Sequence, residues 1–484
     1  MRLILDGKIN KLYVQSLCMM FFRGERFPEN EENPRGTLYL RVVEKNDGVE
    51  SYCELEYDKK ATKSSDFSPF DKNNTCERTI KCSIGRAIYT AGKEITGKTI
   101  PWGILTGIRP SKVGAELLSC NSYDDALEIL QEKYLLSKSK ARLTLEVAKN
   151  ETKIINKYSN QDCSLYISIP FCPTRCEYCS FISYATKKLF DLIPSYLNKL
   201  YLDIKEKCEL IKELNLRLST VYIGGGTPTT LNEAQLRELL QVVSSSLDIS
   251  SLDEFTVECG RPDTITEEKL QILKEHGVKR ISVNPQTLND SVLEKIGRNH
   301  TVADFYNAYN MVEKAEFCFV NTDLIAGLEG DNFESFKNTV DNIIALSPQN
   351  ITVHAFSVKK SARAREINAD IYNLEGDFAV LSVDYAVETL IKNNYLPYYM
   401  YRQKNTISDL ENVGYAKADT FGIYNVLMMS DTHTVFSAGA GATTKLVRKN
   451  NENIEISRIF SPKYPYEYLQ DNQNQKEKIL EIFK

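Results

Sequence analysis

The chain has 484 residues, 42% of them hydrophobic and 26% charged, with a net charge of −5. That length allows two to four domains and a sizeable core, while the slight acidity excludes a global basic field that would recruit nucleic acid. No apolar run is long enough for a bilayer span, and twelve cysteines are too dilute for a disulfide scaffold. The start, Met1-Arg2-Leu3-Ile4-Leu5-Asp6, interrupts its apolar run with charge. No signal peptide is therefore expected, and a reducing, cytoplasmic setting with free thiols follows.

In chain order, residues 1 to about 60 read as a β-rich unit, with strand-like runs at 37–44 and 49–57 joined by the hairpin signal Asn46-Asp47-Gly48. Helical periodicity follows at 79–91, 111–118, 123–134 and 138–158. Residues 1–160 are thus expected to form an N-terminal α+β domain. Strand candidates then alternate with amphipathic runs. The strands are 165–169, 220–223, 254–258, 280–283, 317–325 and 351–356; the helices are 192–214, 233–243, 267–276, 302–315 and 333–346. Repeated βα units predict a parallel sheet with right-handed crossovers, an α/β partial (β/α)6 barrel over 161–360. Residues 361–484 are left as a small C-terminal α+β extension.

Chemistry is expected at the C-terminal strand ends. After the first strand comes Cys-Pro-Thr-Arg-Cys-Glu-Tyr-Cys, placing Cys172, Cys176 and Cys179 in a C-x3-C-x2-C spacing. A cubane iron–sulfur cluster normally takes four cysteines, so three leave one iron open to a ligand. A structural zinc site is the alternative, but it wants a fourth ligand close by, and Cys163 reads as the start of a strand. The remaining nine cysteines read as small hydrophobes.

Gly224-Gly225-Gly226-Thr227 follows the second strand and reads as a tight turn or as a backbone cradle for a cofactor; it is neither a P-loop nor G-x-G-x-x-G. Glu258 closes the third strand, Gln286 lies past the fourth, Asp323 lies near the end of the fifth and His354 lies on the sixth. Each is a solvated strand end or a ligand contact. Arg298 is a surface arginine or a carboxylate partner.

These residues resemble the radical S-adenosylmethionine superfamily, in its oxygen-independent coproporphyrinogen III oxidase branch. The likeness is strongest over 163–360. Pro101-Trp102-Gly103-Ile104-Leu105-Thr106-Gly107-Ile108-Arg109-Pro110 and Glu411-Asn412-Val413-Gly414-Tyr415-Ala416 look like the HemZ-type coproporphyrinogen dehydrogenases. The resemblance implies a [4Fe–4S] cluster on Cys172, Cys176 and Cys179. It also implies S-adenosylmethionine bound near Tyr166, Tyr178, Phe181, Gly225, Gly226, Thr227, Glu258, Gln286, Arg298 and Asp323.

The implied reaction turns two propionates of coproporphyrinogen III into vinyls, with an electron donor and an acceptor as partners. The four propionates of that substrate would meet cations, for which Arg109, Lys112, Arg402, Lys404, Lys445 and Arg448 are candidates, although any single one reads more readily as a solvated surface charge. Phe181 departs from the well-studied oxidases, which carry a further cysteine there. A haem chaperone of the same branch, or another radical enzyme acting on tetrapyrroles, is therefore the alternative. The chaperones' His-Asn-x-x-Tyr-Trp motif does not occur.

Overall fold

The computed structural model describes residues 1–28, 34–71, 75–179, 183–357, 377–403, 410–450, 453–471 and 475–483. They divide into two compact units, Met1–Lys149 and Asn150–Lys484.

In the first unit, β1 (Arg2–Asp6) pairs parallel with β2 (Gly36–Glu44), and β2, β3 (Gly48–Tyr57) and β4 (Lys60–Pro69) continue as an antiparallel meander. Asp58 and Lys59, both at positive φ, make the two-residue turn that carries β3 into β4. The polar run Lys60–Pro69 shows little apolar alternation, which is why this strand is not expected from sequence; the turn and the ladder impose it. Helix Cys76–Thr96 is capped by the Thr75 hydroxyl and ended by Gly97 at φ +70. It buries Ile80, Ile84, Ile88 and Ile95.

The second unit is built on one sheet. Its strands are β5 (Asp162–Ile169), β6 (Arg217–Gly225), β7 (Glu254–Glu258), β8 (Arg280–Ser282), β9 (Phe319–Ala326), β10 (Asn350–Ala355), β11 (Leu396–Arg402), β12 (Glu411–Ala416), β13 (Thr434–Ala438), β14 (Thr443–Asn450) and β15 (Asn453–Phe460). Their order is β11-β12-β10-β9-β8-β7-β6-β5-β13-β14-β15. Strands β5 to β10 are parallel and adjacent in chain order, as repeated βα units require. Helices Ile193–Glu213, Glu233–Ser246, Glu267–Glu275, Val302–Ala315 and Phe333–Leu346 make crossovers.

The C-terminal residues do not stand apart from this sheet. β13 adds a further parallel strand beside β5, β14 and β15 extend that edge antiparallel, and β12 and β11 extend the β10 edge. Tyr398 and Tyr399 on β11 are buried with Ile154, Ala416 and Val426, so this tyrosine run is core strand.

Alternate residues of a strand share a face. Tyr166, Tyr222 and Glu258 are joined across the parallel strands by stacking and a hydrogen bond, Arg280, Asn321 and Asn350 by hydrogen bonds, and Asp323 lies opposite Thr352 in the ladder. Arg280 closes one level of this face. It donates to Glu254 (3.0 Å), Asn321 (2.8 Å), Asn350 (2.6 Å) and the carbonyls of Thr420 and Phe421.

Candidate functional site

The loop after β5 is tied down on both sides. The Cys172 amide donates to the Tyr184 carbonyl at 3.1 Å, Glu177 donates to the Ile296 carbonyl at 3.1 Å, and the Cys179 amide turns back onto Cys176. Cys172 and Cys176 are buried and Cys179 is half-buried. Burial pushes the Cys172 thiol up to about 11, helped by Cys179 and Cys176 and opposed by the hydroxyls of Thr227 and Ser183. Among the described residues no three His, Cys, Asp or Glu groups are arranged around a single metal ion. Three cysteines on one anchored loop are the donor set that a cluster with one open iron takes.

The glycine loop lies against this loop. Gly226 N–H donates to Ile169 and Thr227 N–H to Phe171, both at 2.8 Å, and Thr227 Oγ1 is 3.4 Å from Cys172 Sγ. A Cβ on Gly226 would sit 2.5 Å from the Phe171 carbonyl oxygen, and Gly225 adopts φ +113. The glycines therefore serve close backbone approach as well as a turn.

Gly225 N–H also reaches Glu258 Oε2 (3.3 Å), while Tyr222 donates to Oε1 (2.5 Å). Burial raises Glu258 to about 7, with Asp323 pushing the same way and Tyr222 and the Gly225 amide opposing. Asp323 exchanges two bonds with Asn284: Asn284 Nδ2 donates to Oδ2 at 2.8 Å, and the Asp323 amide donates to Asn284 Oδ1 at 3.1 Å. Gln286 N–H donates to the Asp323 carbonyl, and Gln286 sits at φ +67 with Oε1 buried and unpartnered.

Arg298 is buried rather than a surface arginine. It donates to the carbonyls of Asn284 (2.5 Å) and Gly260 (3.3 Å), its Nε is unpartnered, and Tyr178 and Cys176 are its electrostatic neighbours. Tyr178 packs on Val292, Leu293, Ile296 and Phe356. Tyr166 stacks with Tyr222 (6.2 Å) and Tyr424 (6.3 Å), and His354 meets Asn412 and Tyr401 at 3.3 Å each.

Cys172 thus meets Thr227, the Gly225 amide meets Glu258, and Asp323 meets Asn284, whose carbonyl holds Arg298. Orphaned Gln286 Oε1 and Arg298 Nε, with the glycine cradle, suit a polar ligand beside the thiols. Phe181 and Lys404 lie outside the described residues.

Several expectations need correction. Lys445 is buried and donates to the carbonyls of Leu427, Met428 and Ser430, and Arg448 donates to that of Ile482 (2.7 Å); both serve the fold. Arg402 is buried on β11. Cys76, Cys120 and Cys318 are exposed rather than core hydrophobes. Arg261, Asn284, Tyr222 and Tyr424 join these residues without a sequence motif that marks them.

Fold and site define a class. Residues 166–343 match the model of the radical SAM superfamily, whose members use a [4Fe–4S] cluster and S-adenosylmethionine. Over 407 residues the chain is 35% identical to the oxygen-independent coproporphyrinogen-III oxidase-like protein HemZ of Bacillus subtilis, covering 83% of this chain and 81% of that one. It is 36% identical over 197 residues to the heme chaperone HemW of the same species, covering 40% of this chain and about half (51%) of HemW. The solved coproporphyrinogen III oxidase HemN of Escherichia coli superposes with a TM-score of 0.49 at 21% identity, covering 64% of this chain and 70% of that one. The chain belongs to the radical SAM family of HemZ.

Proposed function

We propose that this protein is a cytoplasmic radical oxidoreductase that decarboxylates coproporphyrinogen III to protoporphyrinogen IX without oxygen. Each turnover removes one hydrogen atom from the β-carbon of a propionate, then CO2 and one electron, and leaves a vinyl group. An electron donor and an acceptor are its redox partners. The observation that carries this reading is the set of bonds at the strand ends, in which Cys172 meets Thr227, Gly225 meets Glu258, and Asp323 and Arg298 both meet Asn284. The match to HemZ over most of both chains supports it.

In this reading Cys172, Cys176 and Cys179 hold the cluster. Tyr166, Tyr178, Gly225, Gly226, Thr227, Glu258, Gln286, Arg298 and Asp323 surround S-adenosylmethionine. Bound there, cluster and cofactor together supply a carbon-centred radical able to take a hydrogen atom. The chain's own side chains position and shield. The stacked Tyr166, Tyr222 and Tyr424 wall one side, and the Arg280 network closes the level beneath, keeping water from a reactive site. Amide and carboxyl groups at the strand ends orient a polar ligand by hydrogen bonds.

The match to HemW favours a second reading, a haem carrier on the same scaffold. One anaerobic assay separates the two. Reconstituted protein is given S-adenosylmethionine, a reductant, an electron acceptor and coproporphyrinogen III. Protoporphyrinogen and CO2 are expected. Formation of 5′-deoxyadenosine without decarboxylated product would end the oxidase reading, and stoichiometric haem binding without turnover would favour the carrier.

A further inference from the structure

Arg261 belongs to none of the bonds among Thr227, Gly225, Glu258, Asp323, Asn284 and Arg298, yet it is 3% exposed and aimed at a thiol. Its Nη1 lies 3.6 Å from Cys176 Sγ and 3.3 Å from the Thr174 carbonyl oxygen. Its Nη2 donates to Thr174 Oγ1 at 2.9 Å and to Asp263 Oδ2 at 3.2 Å, and its Nε donates to Asp263 Oδ1 at 3.1 Å. The backbone is pinned as well, since Thr264 Oγ1 donates to the Arg261 carbonyl at 2.8 Å. A carboxylate fork thus fixes the plane of the guanidinium and leaves one edge facing the cysteine loop. Only a planar group with five donors serves carboxylate, hydroxyl, carbonyl and sulfur together; a lysine would lose most of these.

We propose that Arg261 is a positioning residue that sets the reduction potential of the iron–sulfur cluster through the sulfur of Cys176. This rests on the reading that Cys172, Cys176 and Cys179 hold that cluster. Reduction adds one electron, taken from the external donor, whose charge spreads over the cluster and its thiolate sulfurs. A hydrogen bond to such a sulfur favours the reduced state and makes the potential less negative. Asp263 offsets much of the arginine's charge at a distance. What reaches Cys176 is the short-range N–H dipole and the near part of the charge. The two substitutions therefore act in opposite directions. Removing Arg261 removes the donor and leaves the carboxylate, while neutralising Asp263 leaves the donor and uncovers the charge.

The test reconstitutes wild type, Arg261→Gln and Asp263→Asn anaerobically with iron and sulfide. Iron and sulfide are counted per chain, and reduction is titrated by the electron paramagnetic resonance signal of the reduced cluster. A more negative midpoint in Arg261→Gln and a less negative one in Asp263→Asn, at equal cluster content, is the expected result. Equal midpoints in all three proteins overturn the proposal, since a bond that merely staples two loops would not move the potential. If Arg261→Gln folds by circular dichroism but assembles no cluster, Asp263→Asn decides alone: a rise supports the proposal and no rise overturns it. A full cluster in Cys176→Ala would instead strike the ligand reading beneath it, and the proposal with it.

Discussion

At the end of β7 the half-buried Glu258 carboxyl lies against Tyr222 and the Gly225 amide, and desolvation holds it at about 7, above the ordinary 4.5. A raised carboxyl is favoured protonated in the folded chain. Its contribution to stability is therefore fully present below about 4.5 and is lost as pH rises to about 7, after which it is flat. The slope in that window is at most about 1.4 kcal/mol per pH unit. Glu258→Gln removes the titration, so urea midpoints at pH 5, 6, 7 and 8 should show wild type losing stability relative to the variant up to pH 7. Parallel curves would contradict the assignment. A donor from a bound ligand would reverse the preference, and ligand binding should then release protons below pH 7. The cysteines give a simpler prediction at the same scale. Cys172→Ser should reconstitute with much less iron and sulfide than wild type while the fold, read by circular dichroism, is retained.

The glycine loop shows what one element requires of its neighbour. The nearest atoms to a Cβ on Gly226 are the Phe171 carbonyl oxygen, amide nitrogen and carbonyl carbon, at 2.5, 2.8 and 2.9 Å, all backbone and unable to turn aside. Gly226→Ala should cost about 1–3 kcal/mol as overpacking and move Thr227 away from Cys172. A lowered thermal midpoint and weaker cluster retention are the expected readings, with Gly107→Ala, where nothing lies within 4 Å, as the control near zero.

Much of this level is legible in the chain. β5 to β10 follow from apolar runs between helical periods, and Cys172, Gly226 and Glu258 follow from being chemically odd at strand ends. Other features are not legible because their cause is a partner distant in sequence. The positive φ of Gln286 comes from its bridge to Leu324 on β9, and Asn284 matters only because Asp323 faces it. Arg261 looks like a surface charge until the cysteine loop lies on it.

Over the whole second unit, strand order was the part that local patterns could not convey. Nothing in residues 434–438 states that β13 pairs with β5 rather than forming a separate extension. The long-range evidence lies in buried polar groups that the sequence leaves unmatched. Arg280 shares a level with Glu254, Asn321 and Asn350 from β7, β9 and β10. It also holds the carbonyls of Thr420 and Phe421, while Glu254 accepts the amides of Ile423 and Tyr424. This one ion pair thus fixes the segment after β12 against the parallel sheet and seats Tyr424 in the tyrosine stack. Breaking a buried pair from one side leaves an uncompensated charge and costs about 3–5 kcal/mol, whereas replacing both partners with apolar groups removes that charge. Arg280→Met should therefore destabilise by that amount, and Arg280→Met with Glu254→Leu should recover part of it despite losing more hydrogen bonds. Denaturant midpoints by far-ultraviolet circular dichroism decide the matter. A double variant no more stable than Arg280→Met would mean that the carbonyls of Thr420 and Phe421, and not the Glu254 charge, are what the arginine chiefly satisfies.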